Sequence, residues 1–426
     1  MEPFLRRSLW IFAAVALGSS STACTVIANV VGKEKRDVYK FEHPIAVDTP
    51  VFRRSAEALG NPVVRGNSAA LLKNGDEIFP AMTKDIREAK RSVNLETYIF
   101  QPDKAGQEFA AAMIAAATRG VEVRLLIDAW GSKLGELEQP LKDAGVNVRV
   151  YRPLRLFSIY KVGKRTHRKI LVIDGRVAYT GGLGIDERWM GDARNSHEWR
   201  DTQIRIEGPV AAQMQAVFSE DWTYTTGEIL AGDKFYPQID AAGTMSAQAI
   251  KASRGDASSL AKMSYFMAIK SATKSIHIAN AYFLPDRQVR DALVAAVKRG
   301  VSVEIMVPGR HIDLPPVRFA SWMHYGKMLE GGVKIYEYKH TMMHNKTMVI
   351  DGVYSTIGSI NFDARSMNRN EEESVAVYDR AFAEKMEAMF ADDKKNCKEI
   401  TYDVWSHRGA DKRAAELVSW IWEPYY

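Results

Sequence analysis

The sequence predicts an α/β protein made of two similar halves that share one site, and three observations lead there. A short pattern occurs twice with identical offsets, His-x-Lys-x4-Asp-x6-Gly-(Gly or Ser). One copy is His167, Lys169, Asp174 and Gly181-Gly182; the other is His344, Lys346, Asp351 and Gly358-Ser359. Around each copy a strand–helix–strand run recurs, with equivalent positions near 177 to 184 residues apart. After each copy, an Asp-Gly pair divides two apolar alternating runs.

The start of the chain reads as a leader. Arg6-Arg7, the apolar run from 9 to 17 and the small residues from 18 to 23 have the layout of a secretory signal peptide over 1–23, too short to span a bilayer. Cys24 follows Ser21-Thr22-Ala23 as in a bacterial lipobox, so Cys24 is expected to carry lipid. The protein is then expected to be exported and anchored as a lipoprotein facing the periplasm or the cell exterior. Ser21 and Ala23 also satisfy an ordinary cleavage site, which gives a soluble secreted form instead.

Residues 24–65 are weakly patterned and are expected to wrap the first domain, 66–231. There, 92–100 alternates as a strand, 110–118 is helical, and Arg119-Gly120 leads into a strand from 121. A linker is placed at 232–255, where Asp, Ala, Gly and Ser dominate. The second domain, 256–400, repeats the pattern with a strand at 275–283, a helix at 290–298, and Arg299-Gly300 before the next strand. Glycine closing a helix between two strands marks a βαβ unit, hence parallel strands. Asp174-Gly175 and Asp351-Gly352 predict tight two-residue hairpin turns. Residues 401–426 leave the repeat as a C-terminal aromatic segment.

A length of 426 residues suffices for two cores, and 46% apolar with 26% charged residues excludes a disordered or fibrous chain. The net charge of +6 suits an anionic partner, a phospholipid surface or a nucleic acid. No disulfide framework is expected, since Cys397 is the only cysteine besides Cys24.

Residues two apart on a strand face the same way, so each copy presents an imidazole and an ammonium together. Two such pairs equip a site to break and remake a phosphodiester without a metal. One imidazole attacks and the other handles the proton, while the lysines hold the equatorial oxygens. No Gly-rich nucleotide loop or acidic metal cluster is evident, so neither cofactor nor metal is expected.

The duplicated motif resembles the signature of the phospholipase D superfamily over about residues 65 to 400. Gly358-Ser359-Ile360-Asn361 and Arg365-Ser366 fit its extended pattern. Leu95 to Phe100, Arg119-Gly120-Val121, Asp128, Trp130-Gly131 and Glu198-Trp199-Arg200-Asp201-Thr202 look closest to its bacterial cardiolipin synthase branch. The resemblance implies two α/β/α sandwich domains packed with pseudo-two-fold symmetry around one active site.

It also implies that His167 is the nucleophile and His344 the acid/base, an order that the near two-fold symmetry leaves open in the sequence alone, with Lys169 and Lys346 on the phosphate. Asp174 and Asp351 complete the catalytic signature in a supporting role, because they sit in turns. Ser359 and Asn361 are implied to stabilise phosphate; Gly184 stands where the pattern has the other Asn. Asp201 and Glu372 are the candidates to orient the histidines across the halves, with Glu371 and Glu373 as alternatives to Glu372.

The implied activity is phosphatidyl transfer or hydrolysis on an anionic phospholipid at a membrane surface, through a phosphohistidine. Basic and aromatic residues at 155–161 and 417–426 suit such a surface. An exported nuclease and an inactive lipid-binding protein are the alternatives. The sequence shows no strongly basic groove, which disfavours nucleic acid as the partner.

Overall fold

The computed structural model describes residues 39–153, 165–253 and 257–422, without the side chains of 257–259 and 420–422. The leader, Cys24, the stretch 155–161 and the last aromatic residues lie outside them. Phe41–Tyr426 make one compact unit.

Alternation builds the sheet. In β3 (Glu122–Asp128), Leu125 and Ile127 enter one core while Leu126 enters another, the pattern of a strand covered on both faces. The other strands of the first half are β1 (Val64–Lys73), β2 (Ser92–Thr97), β4 (Asn147–Tyr151), β5 (Ile170–Ile173), β6 (Val177–Gly181) and β7 (Thr202–Glu207). The second half supplies β8 (Met245–Ala252), β9 (Ser275–Asn280), β10 (Ser302–Pro308), β11 (Lys334–Tyr338), β12 (Lys346–Ile350), β13 (Tyr354–Gly358), β14 (Glu372–Tyr378) and β15 (Cys397–Ile400).

All fifteen form one sheet in the order β15-β11-β10-β9-β12-β13-β14-β8-β1-β7-β6-β5-β2-β3-β4. Read outward from the middle, β1-β7-β6-β5-β2-β3-β4 and β8-β14-β13-β12-β9-β10-β11 are the same series. The antiparallel β1–β8 pair is the seam, so the halves are related by a pseudo-two-fold. In each half the βαβ strands are parallel, β2 with β3 and β9 with β10. One core lies across the seam, where helices Val210–Thr226 and Arg380–Lys394 pack together with residues from β6, β7, β8 and β14.

Three features differ from the sequence expectation. The helices Lys104–Thr118 and Arg287–Lys298 start earlier than their apolar periodicity suggests, because Asp103 and Asp286 accept the Gly106 and Val289 N–H groups. Part of the expected linker is β8, whose small Ala247 and Ala249 fill a narrow space at the seam and conceal its strand character. The N-terminal extension contains helix Pro50–Glu57, which seats Phe52 against Tyr354 and Tyr378 of the second half rather than wrapping the first.

The Asp-Gly pairs do make the hairpin turns, but the register Ile173↔Val177 and Ile350↔Tyr354 leaves three residues in each loop rather than two. Asp174 and Gly175 have φ of 53° and 64°, and Asp351 and Gly352 have 56° and 63°. Beyond β15, helices Tyr402–Ser406 and Ala410–Trp422 pack on helix Pro315–Glu330, and the Trp405 indole donates to the Trp322 carbonyl at 2.7 Å.

Phe52 is 1% exposed and makes edge-on contacts with two rings. Phe52→Ala is expected to cost about 3–5 kcal/mol. Urea unfolding measures it, and an unchanged midpoint would show that the N-terminal helix contributes nothing to the second half.

Candidate active site

Each motif is crossed by backbone of the other half before any side chain is considered. The His167 N–H donates to the Glu371 carbonyl at 2.8 Å and the Glu371 N–H to the Arg165 carbonyl at 2.9 Å. In the same way, the His344 N–H donates to the Arg200 carbonyl at 2.7 Å and the Arg200 N–H to the Met342 carbonyl at 2.8 Å. These short parallel bridges place the residue after each crossing point, Glu372 or Asp201, beside the imidazole.

The side chains complete the exchange. His167 Nδ1 lies 2.9 Å from Glu372 Oε2, and His344 Nδ1 lies 2.9 Å from Asp201 Oδ2. With Nδ1 donating to a carboxylate, Nε2 is the nitrogen left for chemistry in each ring. Glu372 also accepts from Ser359 at 2.5 Å, Ser366 at 2.7 Å and Asn370 at 3.3 Å. Asp201 accepts from the Trp189 indole and from the Thr202 N–H, both at 2.8 Å. Tyr98 stands edge-on to His167, and Trp189 and Trp199 lie against His344.

Lys169 Nζ donates to the His167 carbonyl at 2.7 Å, and Lys346 Nζ to the His344 carbonyl at 2.7 Å. Lys346 Nζ is also 3.0 Å from His344 Nε2, which makes that ring an acceptor and neutral. Burial pushes His167 down to about 4, against the pull of Glu372 and with both lysines adding to the effect. Burial, then Lys346 and Lys169, push His344 down to about 3. Lys169 falls to about 7 and Lys346 to about 8, burial again being the largest cause. Burial works to raise Glu372, but His167, Lys169 and Ser359 outweigh it and hold the carboxylate below its usual range. Each imidazole responds to the lysine of the other half, so the four groups are one electrostatic unit.

The remaining predicted residues divide. Of the three consecutive glutamates, Glu372 alone reaches His167. Glu371 lies 3.8 Å from Arg168, and burial raises Glu373, whose carboxylate has no hydrogen-bond partner among the described residues, to about 8. Ser359 directs its hydroxyl to Glu372 rather than outward. Asn361 is buried at 3% exposure with its amide oxygen unpartnered. Asp174 and Asp351 are not brought to the histidines. Asp174 accepts the N–H groups of Lys90, Arg91 and Ser92, and Asp351 those of Thr273, Lys274 and Ser275. They fasten the start of β2 and β9 to the motif hairpins.

Sequence reasoning missed two buried arginines. Arg168, between His167 and Lys169, is fully buried and bonds Asp221 at 2.9 Å. Arg200, beside Asp201, forms a two-point pair with Asp393, both contacts at 2.8 Å. Asp221 and Asp393 are equivalent, as Phe218-Ser219-Glu220-Asp221 and Phe390-Ala391-Asp392-Asp393 show. That repeat was the available signal. No group of three or more His, Cys, Asp or Glu suited to a metal ion occurs among the described residues.

The profile of the family described as "Cardiolipin synthase, PLD-like domain" matches residues 82–222 and 265–394, one match for each half. The chain belongs to this family. A cardiolipin synthase of Geobacillus sp. (strain WCH70) is 36% identical over 369 residues, covering 85% of this chain and 73% of the relative. A probable cardiolipin synthase of Bacillus subtilis is 34% identical, covering 86% and 73%. The fold is shared with a phosphatidylserine synthase of Haemophilus influenzae Rd KW20, at a TM-score of 0.63 and 16% identity over 87% of this chain and all of that one.

This finding overturns the exported placement expected from the leader. The relatives are cardiolipin synthases, named for a phospholipid of the bilayer, and that likeness supports no exported or lipid-anchored form. A diacyl lipid stays in its bilayer because each buried methylene holds it by about 0.8 kcal/mol. Among the described residues no helix is long and apolar enough to cross a membrane.

Asp351→Ala tests the structural assignment of the motif aspartates. It orphans three backbone N–H groups, at about 1–3 kcal/mol, and leaves alanine in a left-handed conformation, at about 1–2 kcal/mol. Chemical denaturation is expected to show a loss of roughly 3 kcal/mol, with turnover per folded molecule retained. Full stability with lost turnover would return Asp351 to the catalytic set.

Proposed function

We propose that the protein transfers a phosphatidyl group from one phospholipid to a hydroxyl acceptor, as a cardiolipin synthase does, through a covalent phosphohistidine. The observation that carries this reading is the pair of neutral imidazoles, each held through Nδ1 by a carboxylate of the other half. His167 Nε2 attacks phosphorus in line, the bond to the leaving alcohol breaks, and His344 gives that alcohol its proton. His344 then takes the proton of the acceptor hydroxyl, whose oxygen attacks phosphorus as the P–N bond breaks. One ester replaces another, so neither a redox partner nor a metal enters the balance.

The lysines supply the charge. A phosphate arriving between them draws Lys346 from His344 Nε2, and its negative charge raises the proton affinity of the ring. His344 thereby becomes able to act as an acid that the substrate-free ring is not. The lipid stays in its bilayer, so the enzyme meets it at the membrane surface. The exposed Trp130 and Leu314 support this, in loops that leave β3 and β10 at the strand ends where the motifs lie.

Purified protein supplied with phosphatidylglycerol vesicles is expected to release glycerol and form cardiolipin, both read by mass spectrometry; cleavage of DNA with no lipid product would favour the nuclease alternative. His167→Ala is expected to abolish the phosphoenzyme. His344→Ala should slow turnover by about 10²–10⁴-fold, and a lipid with a good leaving group should partly restore only this variant. Equal behaviour of the two variants with every leaving group would refute the division of roles.

The pH profile follows from the shifts. His167 must be neutral, so kcat/KM falls as pH drops through about 4; the proton that His344 donates must be taken up and Lys169 and Lys346 must be charged, so it declines as pH rises and more steeply through about 7 to 8. Bound phosphate stabilises the ammonium groups, so the alkaline limb of kcat is expected at higher pH than that of kcat/KM. A kcat limb at lower pH would contradict lysine–phosphate contact.

A further inference from the structure

The two halves hold their carboxylates by different means at corresponding positions. Counted from the motif glycines, Gly184 corresponds to Asn361, Asp186 to Asp363 and Trp189 to Ser366. Asp186 and Asp363 each cap a single helical turn, and the third residue beyond each reaches a carboxylate. Ser366 donates its hydroxyl to Glu372 at 2.7 Å, and Trp189 donates its indole N–H to Asp201 at 2.8 Å.

The indole fits because the neighbouring positions are bare. A Cβ on Gly184 would lie 3.1 Å from the Trp189 ring and 3.0 Å from Ile99. One on Gly182, which corresponds to Ser359, would lie 2.6 Å from an Asp201 oxygen and from the His344 carbonyl. Glu372 therefore has three side-chain donors besides His167, whereas Trp189 is the one such donor to Asp201 besides His344 among the described residues. Trp189 is 1% exposed and presents its edge to His344, with ring centres 5.2 Å apart at 81°. The volume that holds an amide and a hydroxyl on the His167 side holds an indole on the other.

We propose that Trp189, admitted by Gly184, is a positioning residue that fixes Asp201 and through it His344, and that keeps the acceptor-activating side dry so that transfer to a lipid alcohol outruns hydrolysis. With the Thr202 N–H on one oxygen and the rigid indole beside His344 on the other, the Asp201 carboxylate holds the Nδ1–H in one direction. The indole stands where the other half has a hydroxyl that could lodge a water, so the hydroxyl that reaches Nε2 is the one delivered by a bound acceptor. This inference rests on the phosphatidyl-transfer reading.

The test follows cardiolipin against phosphatidic acid from phosphatidylglycerol vesicles, with kcat, KM and the pH profile of kcat. Trp189→Phe keeps a ring and loses the N–H. It is expected to lower kcat about tenfold at little change in KM, to shift the pH profile of kcat, and to raise the share of phosphatidic acid. Gly184→Asn with Trp189→Ser restores the side chains of the other half and should raise that share further. Trp322→Phe is the control, because the Trp322 indole likewise donates to a buried carboxylate, Glu337 at 2.7 Å, with neither histidine among its partners; its ratio and pH profile should stay as in the wild type.

Should Trp189→Phe fail to fold, Gly184→Ala presses on the same ring and is read in the same way. Unchanged ratio and pH profile in the Trp189 variant, or an equal change in Trp322→Phe, overturns the proposal. A wild-type protein that makes neither lipid product overturns the functional reading instead, so the two failures are distinct.

Discussion

Everything at this site depends on the exchange of carboxylates between halves. A histidine from each half takes its orientation from an acid of the other, His167 from Glu372 and His344 from Asp201. Neither half can fix the tautomer of its own ring. The backbone bridges at Glu371 and Arg200 hold the exchange in register, and the seam between β1 and β8 keeps the two crossings at fixed separation. A buried carboxylate is costly unless its lone pairs are filled. The donors to Glu372 and Asp201 are therefore as much a part of the site as the rings.

Burial does the rest of the electrostatic work. The imidazoles and ammonium groups lie where their charged forms are poorly solvated, so all four shift downward. Two cations close together repel, which leaves the site prepared for an anion that relieves the repulsion. The buried ion pairs Arg168–Asp221 and Arg200–Asp393 lie directly behind the motif residues. Such pairs add little net stability against apolar replacements, but removing one partner strands a charge at about 3–5 kcal/mol. That penalty ties the geometry behind the rings to the integrity of both halves.

Duplication supplied the architecture, and divergence supplied a direction. The halves keep the same strand series, the same capped helices and the same hairpins, yet differ in what surrounds each carboxylate. Hydroxyls and an amide surround Glu372, and an indole and a backbone N–H meet Asp201. A reaction with two unlike steps, departure of one alcohol and entry of another, is served by two unlike walls.

The sequence by itself determined the repeat, the βαβ units, the Asp-Gly turns and the two His-Lys pairs. Each of these is a local pattern of spacing or alternation that survives without a partner. It also pointed to Asp201 and Glu372, but through family likeness rather than through any periodicity. The tertiary structure decided which of Glu371, Glu372 and Glu373 meets His167, since only the crossing of the halves fixes that register. It gave the supporting role of Asp174 and Asp351 its content, the anchoring of β2 and β9 to the motif hairpins. It also found a strand, β8, in a stretch whose small residues hid it, because their size suits a seam that exists only once both halves are folded. Arg168, Arg200 and Trp189 were illegible for the same reason: their partners lie far away in sequence, and only packing brings a buried charge or an indole N–H to its acceptor.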